Sequence, residues 1–433
     1  MTAHSRWRRT RGVALAAGLL LLTPLAGASA QATGAAGGAG SSAAHWVNGW
    51  QGSPTAGGTF DHASCPADTG LADQTVRDVV PVSTGGGQVR VRLSNTFGNV
   101  PLRVGSASVA VAGTGAATAP GTLRPLTFSG QPDVLVAAGG EALSDPVELA
   151  VEPLQRLSVS VFLPDPTGPA TQHNNSRETN YLAGDDATRD AAGTSFSTPI
   201  GCWMFASGVD VLAPARVAGA VVALGDSITD GDQSTVDADQ RYPDWLARRL
   251  AALGGTTLSV SNAGIGGNEV LRNRVPELFG ASAPARLPRD VLTQTGARSV
   301  LLLEGINDIG AESARAEDVI EVCQQVIAQV HAAGLPVYGG TLVPFGGSNA
   351  QYGADYGTPF GEAQRIAVNA WIRSSGAFDG VVDFDAALRD PADPTRLLPV
   401  YDSGDHLHPS DAGYRAMAET VDLARLVAAS TRR

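Results

Sequence analysis

Apolar and polar residues alternate with a period of two along the first half of the chain. The alternation occurs in residues 75–79, 88–94, 106–112, 147–151 and 157–163, and Gly, Pro, Asn and Asp separate these runs. A period of two predicts β-strands with one buried face, and no helical pattern intervenes between the runs. We therefore predict an all-β region of the sandwich or jelly-roll type over residues 45–215.

The pattern changes from residue 216 to the end of the chain. Short apolar runs now alternate with helix-length segments, and these runs are residues 221–224, 258–261, 300–303, 336–342 and 381–384. Helices are predicted to begin near Pro243, to span the spaced valines of 319–330, and to occupy 410–429 with Ser410 as the N-cap. Strands with helical crossovers predict a three-layer α/β domain over residues 216–433, with a mainly parallel five-stranded sheet.

The first 44 residues are not predicted to belong to either fold. Four arginines precede a short apolar run at residues 13–22, and Ala28-Ser29-Ala30 is a small-residue cleavage site, so residues 1–30 are predicted to be a secretory signal peptide. Residues 31–44 contain only Ala, Gly, Ser, Gln and Thr, which predicts a flexible linker. No later segment reaches transmembrane length, so we expect a secreted, extracellular protein without integral membrane association.

Charge and cysteine content narrow the expected partners. The chain has 30 Lys and Arg against 42 Asp and Glu, and its formal net charge of −12 at pH 7 disfavours nucleic acid and anionic membranes. No pair of the three cysteines has metal-ligand spacing. Because secretion permits disulfides, we expect a bond between Cys65 and Cys202, with Cys323 free and buried in a helix.

Residues suited to chemistry follow the predicted parallel strands. Gly225-Asp226-Ser227 follows the first strand, residues 262–268 follow the second, and Gly305-Ile306-Asn307-Asp308 follows the third. Asp405-His406-Leu407-His408 precedes the last helix. The carboxyl ends of parallel strands lie at one edge of a sheet, where α/β proteins bind ligands, so these segments are expected to meet.

Together these segments contain the groups that acyl transfer needs. A serine such as Ser227 is a poor nucleophile until a base takes its proton, and His408 is suited to that role near neutral pH. Asp405 lies three residues before His408 and is expected to orient its ring. Backbone N–H groups of Ser227 and of the Gly266-Gly267 turn, with the Asn307 amide, are candidate donors to an oxyanion.

Other interpretations of the same residues remain open at this stage. The glycine-rich segment is also compatible with a plain turn, and Asn307-Asp308 with a helix cap. His406 and His408 are a weak candidate metal pair, and Asp230, Asp232 and Asp308 lack the spacing of an EF-hand calcium loop. The polar segment 173–181 has the composition of a loop that faces a ligand, although it carries no specific motif.

The four segments, taken together, resemble the sequence blocks of the GDSL, or SGNH, hydrolase family. Gly225-Asp226-Ser227 is followed by Ile228 where the family name has Leu, residues 262–268 match the glycine block, and the other two segments match Gly-x-Asn-Asp and Asp-x-x-His. Gly267 is the best positional match to the block's glycine, with Gly266 as the alternative. The resemblance covers residues 218–433 and is nearest to secreted arylesterase-like members that follow a β-rich region. It implies a flavodoxin-like sheet and esterase or lipase activity without a cofactor or metal.

We therefore expect a secreted serine esterase with Ser227 as nucleophile, His408 as base and Asp405 as orienting residue. Ser227, Gly267 and Asn307 are expected to form the oxyanion hole. The substrate is expected to be an ester, either an acylated carbohydrate or a lipid, and a lipase or phospholipase is the alternative enzyme. A carbohydrate-binding protein with an inert hydrolase region is the alternative of another class. The sequence does not predict the oligomeric state.

Overall fold

Antiparallel strands make up the first part of the molecule. The computed structural model describes residues 43–59, 64–274 and 277–431, and the predicted signal peptide (1–30) and most of the predicted linker (31–44) lie outside these residues. The strands of this part are β1 (His45–Gln51), β2 (Gln74–Pro81), β3 (Gly86–Ser94), β4 (Leu102–Val104), β5 (Ser106–Val111), β6 (Arg124–Pro125), β7 (Val134–Val136), β8 (Glu141–Leu143), β9 (Val147–Val151), β10 (Arg156–Leu163), β11 (Gln172–His173), β12 (Asn180–Gly184), β13 (Thr198–Ile200), β14 (Trp203–Met204) and β15 (Ala206–Ala213).

Two antiparallel sheets enclose one core in this β-rich region. One sheet has the order β1-β15-β3-β8, with β9 also paired to β3, and the other has the order β13-β12-β2-β10-β5-β6. Inward-facing residues of both sheets, such as Val91 on β3 and Val159 on β10, are fully buried in the same cluster. The predicted β-rich sandwich is confirmed, and Trp50 is buried against Trp203 in its core.

The α/β region contains a third large sheet, and all of its strands are parallel. They are β16 (Val217–Gly225), β17 (Thr257–Gly264), β18 (Ala297–Leu303), β19 (Val337–Gly340) and β20 (Gly380–Val382), in the order β17-β16-β18-β19-β20. This order is that of flavodoxin-like folds, whose ligand crevice lies beside the first strand, where the winding reverses. Gly225 pairs with Gly264 and with Leu303, so three strands end at the same level.

Helices cover this sheet and complete the predicted α/β architecture. They are α1 (Ser227–Asp230), α2 (Tyr242–Ala251), α3 (Ala283–Leu287), α4 (Ile306–Glu312), α5 (Ala316–Ala332), α6 (Asn349–Tyr352), α7 (Pro359–Ser374), α8 (Phe384–Leu388), α9 (Asp411–Thr420) and α10 (Leu423–Thr431). α2 packs on β17 and α9, whereas α5 packs on α3 and α7. None of the described helices has the length and apolar character needed to cross a membrane.

The single helix predicted over 410–429 is instead two helices, α9 and α10. Ser410 caps α9 as predicted, because its hydroxyl accepts the Gly413 N–H. Val421 adopts an extended conformation (φ −71°, ψ 124°), which ends α9. Asp422 follows it, and its carboxylate accepts the N–H of Arg425, which starts a new helix where apolar periodicity alone predicts continuity.

The cysteines are arranged as predicted. Cys65 and Cys202 form a disulfide with a Cα–Cα distance of 5.8 Å, and it joins segments 137 residues apart in the chain. Cys323 is free and lies buried in α5, where burial raises the pKa of its thiol.

The predicted boundary at residues 215 and 216 falls in the turn between β15 and β16, where the chain passes from one sheet to the other. Both regions nevertheless belong to one compact unit. The side chain of Asn48 on β1 is fully buried between them. Its Oδ1 accepts a hydrogen bond from the Ser261 hydroxyl on β17 at 2.7 Å, and its Nδ2 donates one to Gln294 Oε1 at 3.1 Å.

Candidate active site

Ser227 begins the short helix that follows β16. The carboxylate of Asp226 caps this helix by accepting the N–H of Ile228 at 2.9 Å, so the chain turns sharply at the strand end. A Cβ on Gly225 would lie 2.0 Å from Thr229 Oγ1, so the tight turn requires glycine there. Burial raises the pKa of Asp226 to about 7.

His408 stands between Ser227 and Asp405. Its Nε2 is 2.8 Å from Ser227 Oγ, and its Nδ1 is 2.7 Å from Asp405 Oδ2. The other oxygen of Asp405 accepts the N–H groups of Leu407 and His408. The structure thus brings together three predicted residues that lie up to 181 positions apart in the chain.

Ser227, His408 and Asp405 form a hydrogen-bonded triplet. The pKa values of its Asp405 and His408 depend on burial and on neighbouring charges. Burial acts to raise the pKa of Asp405, but the hydrogen bond and charge of His408 hold that pKa well below its ordinary range. Burial likewise acts to lower the pKa of His408. The hydrogen bond to Asp405 and the charge of Asp232, whose Oδ2 is 3.8 Å from Nε2, outweigh burial and raise the pKa of His408 from its ordinary value.

Gly267 lies in a turn in which the Asn268 N–H donates to Ile265 O. Its φ is +73°, a conformation that favours glycine, and a Cβ there would lie 2.4 Å from Phe279 Cδ1. The preceding Gly266 donates its N–H to Asp230 Oδ2 at 3.2 Å. Among the described residues, the N–H groups of Gly267 and Ser227 have no hydrogen-bond acceptor.

Asn307 lies in the first turn of α4. Gly305 is the N-cap of this helix, so Asn307 is not a helix cap. Its Nδ2 donates to Asn268 O at 2.9 Å, and its Oδ1 accepts the hydroxyl of Tyr356 at 2.6 Å. These two bonds fix the orientation of the amide and leave a second Nδ2 hydrogen for the cleft. Tyr356 gave no signal in the sequence, because it belongs to no recognised motif.

Tyr352 is a second tyrosine that sequence reasoning did not identify. Its hydroxyl donates to Asp405 Oδ2 at 2.9 Å and lies 3.4 Å from His408 Nδ1. Burial and the adjacent Asp405 carboxylate raise the pKa of Tyr352, so it remains a donor at neutral pH. Both carboxylate oxygens of Asp405 are therefore hydrogen-bonded, Oδ1 to two backbone N–H groups and Oδ2 to Tyr352 and His408.

A buried arginine connects the loops beneath these residues. The Arg286 side chain on α3 is fully buried, and each of its three nitrogens donates at least one hydrogen bond. The acceptors are Gly225 O (2.9 Å), Ala263 O (2.6 Å), Asn268 Oδ1 (3.0 Å), Asp290 Oδ2 (3.1 Å) and Glu304 Oε1 (3.2 Å). The guanidinium therefore joins the ends of β16, β17 and β18.

The residues considered as metal ligands have other partners. Asp308 accepts the N–H groups of Val270 and Leu271, and burial raises its pKa to about 6. His406 bonds to Asp402 at 2.6 Å, while His408 belongs to the triplet. Within the described ranges, no cluster of three or more His, Cys, Asp or Glu side chains is arranged to hold a metal ion.

A cleft of about 440 Å³ opens over Ser227. One part of its lining is apolar or aromatic and another is polar, and the β-rich region contributes Asn174 and Asn175. Two residues of the predicted ligand-facing segment 173–181 therefore reach the cleft. The apolar and aromatic lining residues are Leu278, Phe279, Ala311, Tyr352, Tyr356 and Leu407.

The model of the GDSL-like lipase/acylhydrolase family matches residues 223–416, which include the triplet, Gly267 and Asn307. The α/β region belongs to the GDSL family. Membership identifies ester hydrolysis as the reaction class of this GDSL region. No curated protein matches the chain.

Several solved structures are similar to about half of the chain. A carbohydrate acetylesterase family member from Sinorhizobium meliloti shares 17% identity, with a TM-score of 0.38, and covers 48% of this chain and 98% of its own. An aryl esterase from M. smegmatis shares 16%, with a TM-score of 0.37, and covers 46% and 94%. A GDSL-like lipase from Bacteroides thetaiotaomicron VPI-5482 shares 17%, with a TM-score of 0.36, and covers 48% and 88%.

Replacing Arg286 with Met is expected to lower the free energy of unfolding by about 3–5 kcal/mol, because Glu304 and two strand-end carbonyls lose their buried donor. Denaturant unfolding measures this change. Arg415→Met is the matched control, since the Arg415–Glu419 pair is more than half exposed and its loss should change stability little. Equal stabilities of the two variants would contradict a connecting role for Arg286.

Proposed function

We propose that the chain is a secreted serine esterase that hydrolyses carboxylic esters through an acyl-enzyme. The observation that carries the proposal is the line of contacts from Ser227 Oγ to His408 Nε2 (2.8 Å) and from His408 Nδ1 to Asp405 Oδ2 (2.7 Å). In this arrangement a histidine takes the serine proton while a carboxylate stabilises the imidazolium that forms.

The reaction begins when Ser227 Oγ attacks the ester carbonyl carbon and His408 Nε2 takes the hydroxyl proton. The tetrahedral intermediate then collapses, the bond to the alcohol oxygen breaks, and His408 returns the proton to that oxygen. Water attacks the acyl-enzyme by the same route, and the carboxylic acid leaves as Ser227 regains its proton. Asp405 keeps the His408 ring in the required orientation throughout.

We assign three hydrogen-bond donors to stabilise the negative charge that develops on the carbonyl oxygen. These are the N–H groups of Ser227 and Gly267 and the second Nδ2 hydrogen of Asn307. All three residues line the cleft. Fixed donors of this kind stabilise the transition state without reorganisation, and each is typically worth about 10²–10³ in rate.

The substrate is assigned as a short-chain ester of a polyhydroxylated alcohol, such as an acetylated carbohydrate. Support comes from the polar part of the cleft, which includes Asn174, Asn175, Asp232 and Arg274. Such groups suit a hydroxylated leaving group better than a lipid. A lipase acting on long acyl chains is the second candidate, supported by the apolar residues that line the same cleft.

Secretion is part of the proposal. Its support is the signal-like sequence of residues 1–30, and the Cys65–Cys202 disulfide suits an oxidising compartment.

Ser227→Ala is expected to lower the hydrolysis of p-nitrophenyl acetate by roughly 10⁴-fold or more, because no other group can form the acyl-enzyme. The measurement compares kcat/KM of the two proteins after circular dichroism has established equal folding. Labelling with a fluorophosphonate should also be confined to the protein with Ser227. Turnover close to wild type in the variant would refute the assignment, and an unlabelled wild-type protein would favour the inert carbohydrate-binding alternative.

The same assay with p-nitrophenyl esters of two to twelve carbons, run beside acetylated xylan, separates the two substrate classes. We expect kcat/KM to be greatest for the acetyl ester and acetate to be released from xylan. A maximum at eight or more carbons would support the lipase instead.

The activity is expected to fall as pH decreases through the pKa of His408, because a protonated imidazole cannot accept the serine proton. That pKa is raised from its ordinary value despite burial, by the hydrogen bond to Asp405 and by the charge of Asp232. Asp232→Asn removes this negative charge, so the acid limb of kcat/KM against pH should move to lower pH. Asp379→Asn is the control, since Asp379 precedes β20 at the opposite edge of the sheet. A wild-type profile that stays flat down to about pH 4 would contradict the role of His408.

Gly267→Ala is expected to lower kcat by about 10²–10³, because the added methyl group meets Phe279 and displaces one oxyanion donor. Gly266→Ala provides a matched control, because its Cβ would have no neighbour closer than 3.8 Å. Steady-state kinetics of both variants test the choice between the two glycines. A larger loss in Gly266→Ala would reverse the assignment.

A further inference from the structure

His173 connects the β-rich region to the GDSL region beside the cleft. It lies on β11, its side chain is 3% exposed, and its ring packs at 5.3 Å from that of Trp203. Ring Nδ1 is 2.9 Å from Ser53 O, and ring Nε2 is 3.0 Å from Asp230 Oδ1. Both nitrogens therefore have a fixed partner, one within the β-rich region and one in α1.

Both partners of His173 are oxygen atoms that accept hydrogen bonds. The Ser53 carbonyl can only accept, so Nδ1 must carry a proton that it donates. The contact between Nε2 and the Asp230 carboxyl group is favourable only when a second proton lies between them. The two side chains, 3% and 2% exposed, thus form a buried hydrogen-bonded pair in which His173 fixes one oxygen of the Asp230 carboxyl group.

Asp230 in turn connects two parts of the candidate active site. It is the last residue of α1, the helix that Ser227 begins. Its second oxygen accepts the N–H of Gly266 at 3.2 Å, and Gly266 immediately precedes Gly267. The Asp230 carboxylate therefore holds the glycine turn against the helix that carries Ser227.

Loss of His173 would leave Asp230 as a buried carboxyl group that accepts the backbone N–H of Gly266 and lacks its imidazole partner. A buried carboxyl group that lacks hydrogen-bond partners is unfavourable, so the side chain would move toward water. This movement weakens its bond to Gly266. The peptide between Gly266 and Gly267 would then lose its fixed direction relative to Ser227.

We propose that His173 is a positioning residue for ester hydrolysis, acting through Asp230 on the oxyanion donor of Gly267. The proposal rests on the proposed function, and it makes the β-rich region a part of the active site. No local motif marks His173, and it lies 57 residues before its partner Asp230.

The test compares His173→Ala with Asn48→Ala, which removes a buried contact between the same two regions away from the cleft. Three quantities are measured: kcat and KM for p-nitrophenyl acetate, the midpoint of thermal unfolding, and the inhibition constant of a trifluoromethyl ketone. The ketone adduct of Ser227 carries an oxyanion and so reports on the donors. For His173→Ala we expect kcat to fall about 10- to 100-fold, KM to change less than about twofold, and inhibition to weaken by a similar factor to kcat. For Asn48→Ala we expect a lower unfolding midpoint with unchanged kcat and inhibition.

A double variant separates the effect of buried charge from a loss of packing. In His173→Ala/Asp230→Asn, the asparagine oxygen can still accept the Gly266 N–H without bringing a charge. We therefore expect kcat to recover at least threefold over His173→Ala. If His173→Ala does not fold, Asp230→Asn and Asp230→Ala provide the same comparison, and Asp230→Asn should retain the greater kcat.

Three results would count against the proposal. Wild-type kcat and inhibition in His173→Ala would overturn it while leaving the esterase assignment intact. An equal loss of kcat in Asn48→Ala and His173→Ala would show that His173 only stabilises the contact between the regions. A wild-type protein with no ester hydrolysis would overturn the proposed function itself, and this inference with it.

Discussion

The buried guanidinium of Arg286 is the interaction on which the arrangement of the strand-end loops depends. It donates to carbonyl oxygens at the ends of β16 and β17 and to Glu304 after β18. A buried positive charge is tolerated only when its N–H groups all find acceptors, and the planar geometry of arginine restricts where those acceptors lie. The three loops therefore satisfy the guanidinium in one mutual arrangement. Ser227, Gly267 and Asn307 occupy positions set by that arrangement, although the hydrogen bonds of the arginine go to other residues.

Buried carboxylates also hold these strand-end loops in place, because they accept hydrogen bonds from loop N–H groups. Asp226 accepts the N–H of Ile228, and Asp230 accepts the N–H of Gly266. Asp308 accepts the N–H groups of Val270 and Leu271, which follow the glycine segment. Loop N–H groups lack the partners that a helix or a sheet supplies, so a short acidic side chain is an effective acceptor for them. Burial raises the pKa of Asp226 and of Asp308, and the positive charge of Arg286 offsets part of that effect at Asp226.

The apolar pattern predicted both folds because strand alternation and helix spacing are local properties of a sequence. It also predicted that Ser227 and His408 would meet, since parallel strands with helical crossovers bring their ends to one edge whatever the distance along the chain. His173, Tyr356 and Arg286 could not be predicted in this way. Their partners lie 57, 49 and up to 61 residues away, and nothing in the neighbouring sequence shows which side chain each will contact. The sequence reasoning thus identified the residues that belong to recognisable motifs and missed those that hold them in place.

The contact between His173 and Asp230 has a consequence for how proteins of this architecture can be recombined. A GDSL region joined to an unrelated β-rich partner would contain Asp230 but not the imidazole that bonds to it. Such a chimera would keep every motif residue of the hydrolase and still carry a buried carboxyl group without its partner at the end of the helix that Ser227 begins. A chimera of this kind should therefore take a β-rich partner that places a hydrogen-bond donor at the position of His173. For protein engineering, the two regions are thus one unit of exchange, although their folds belong to different classes.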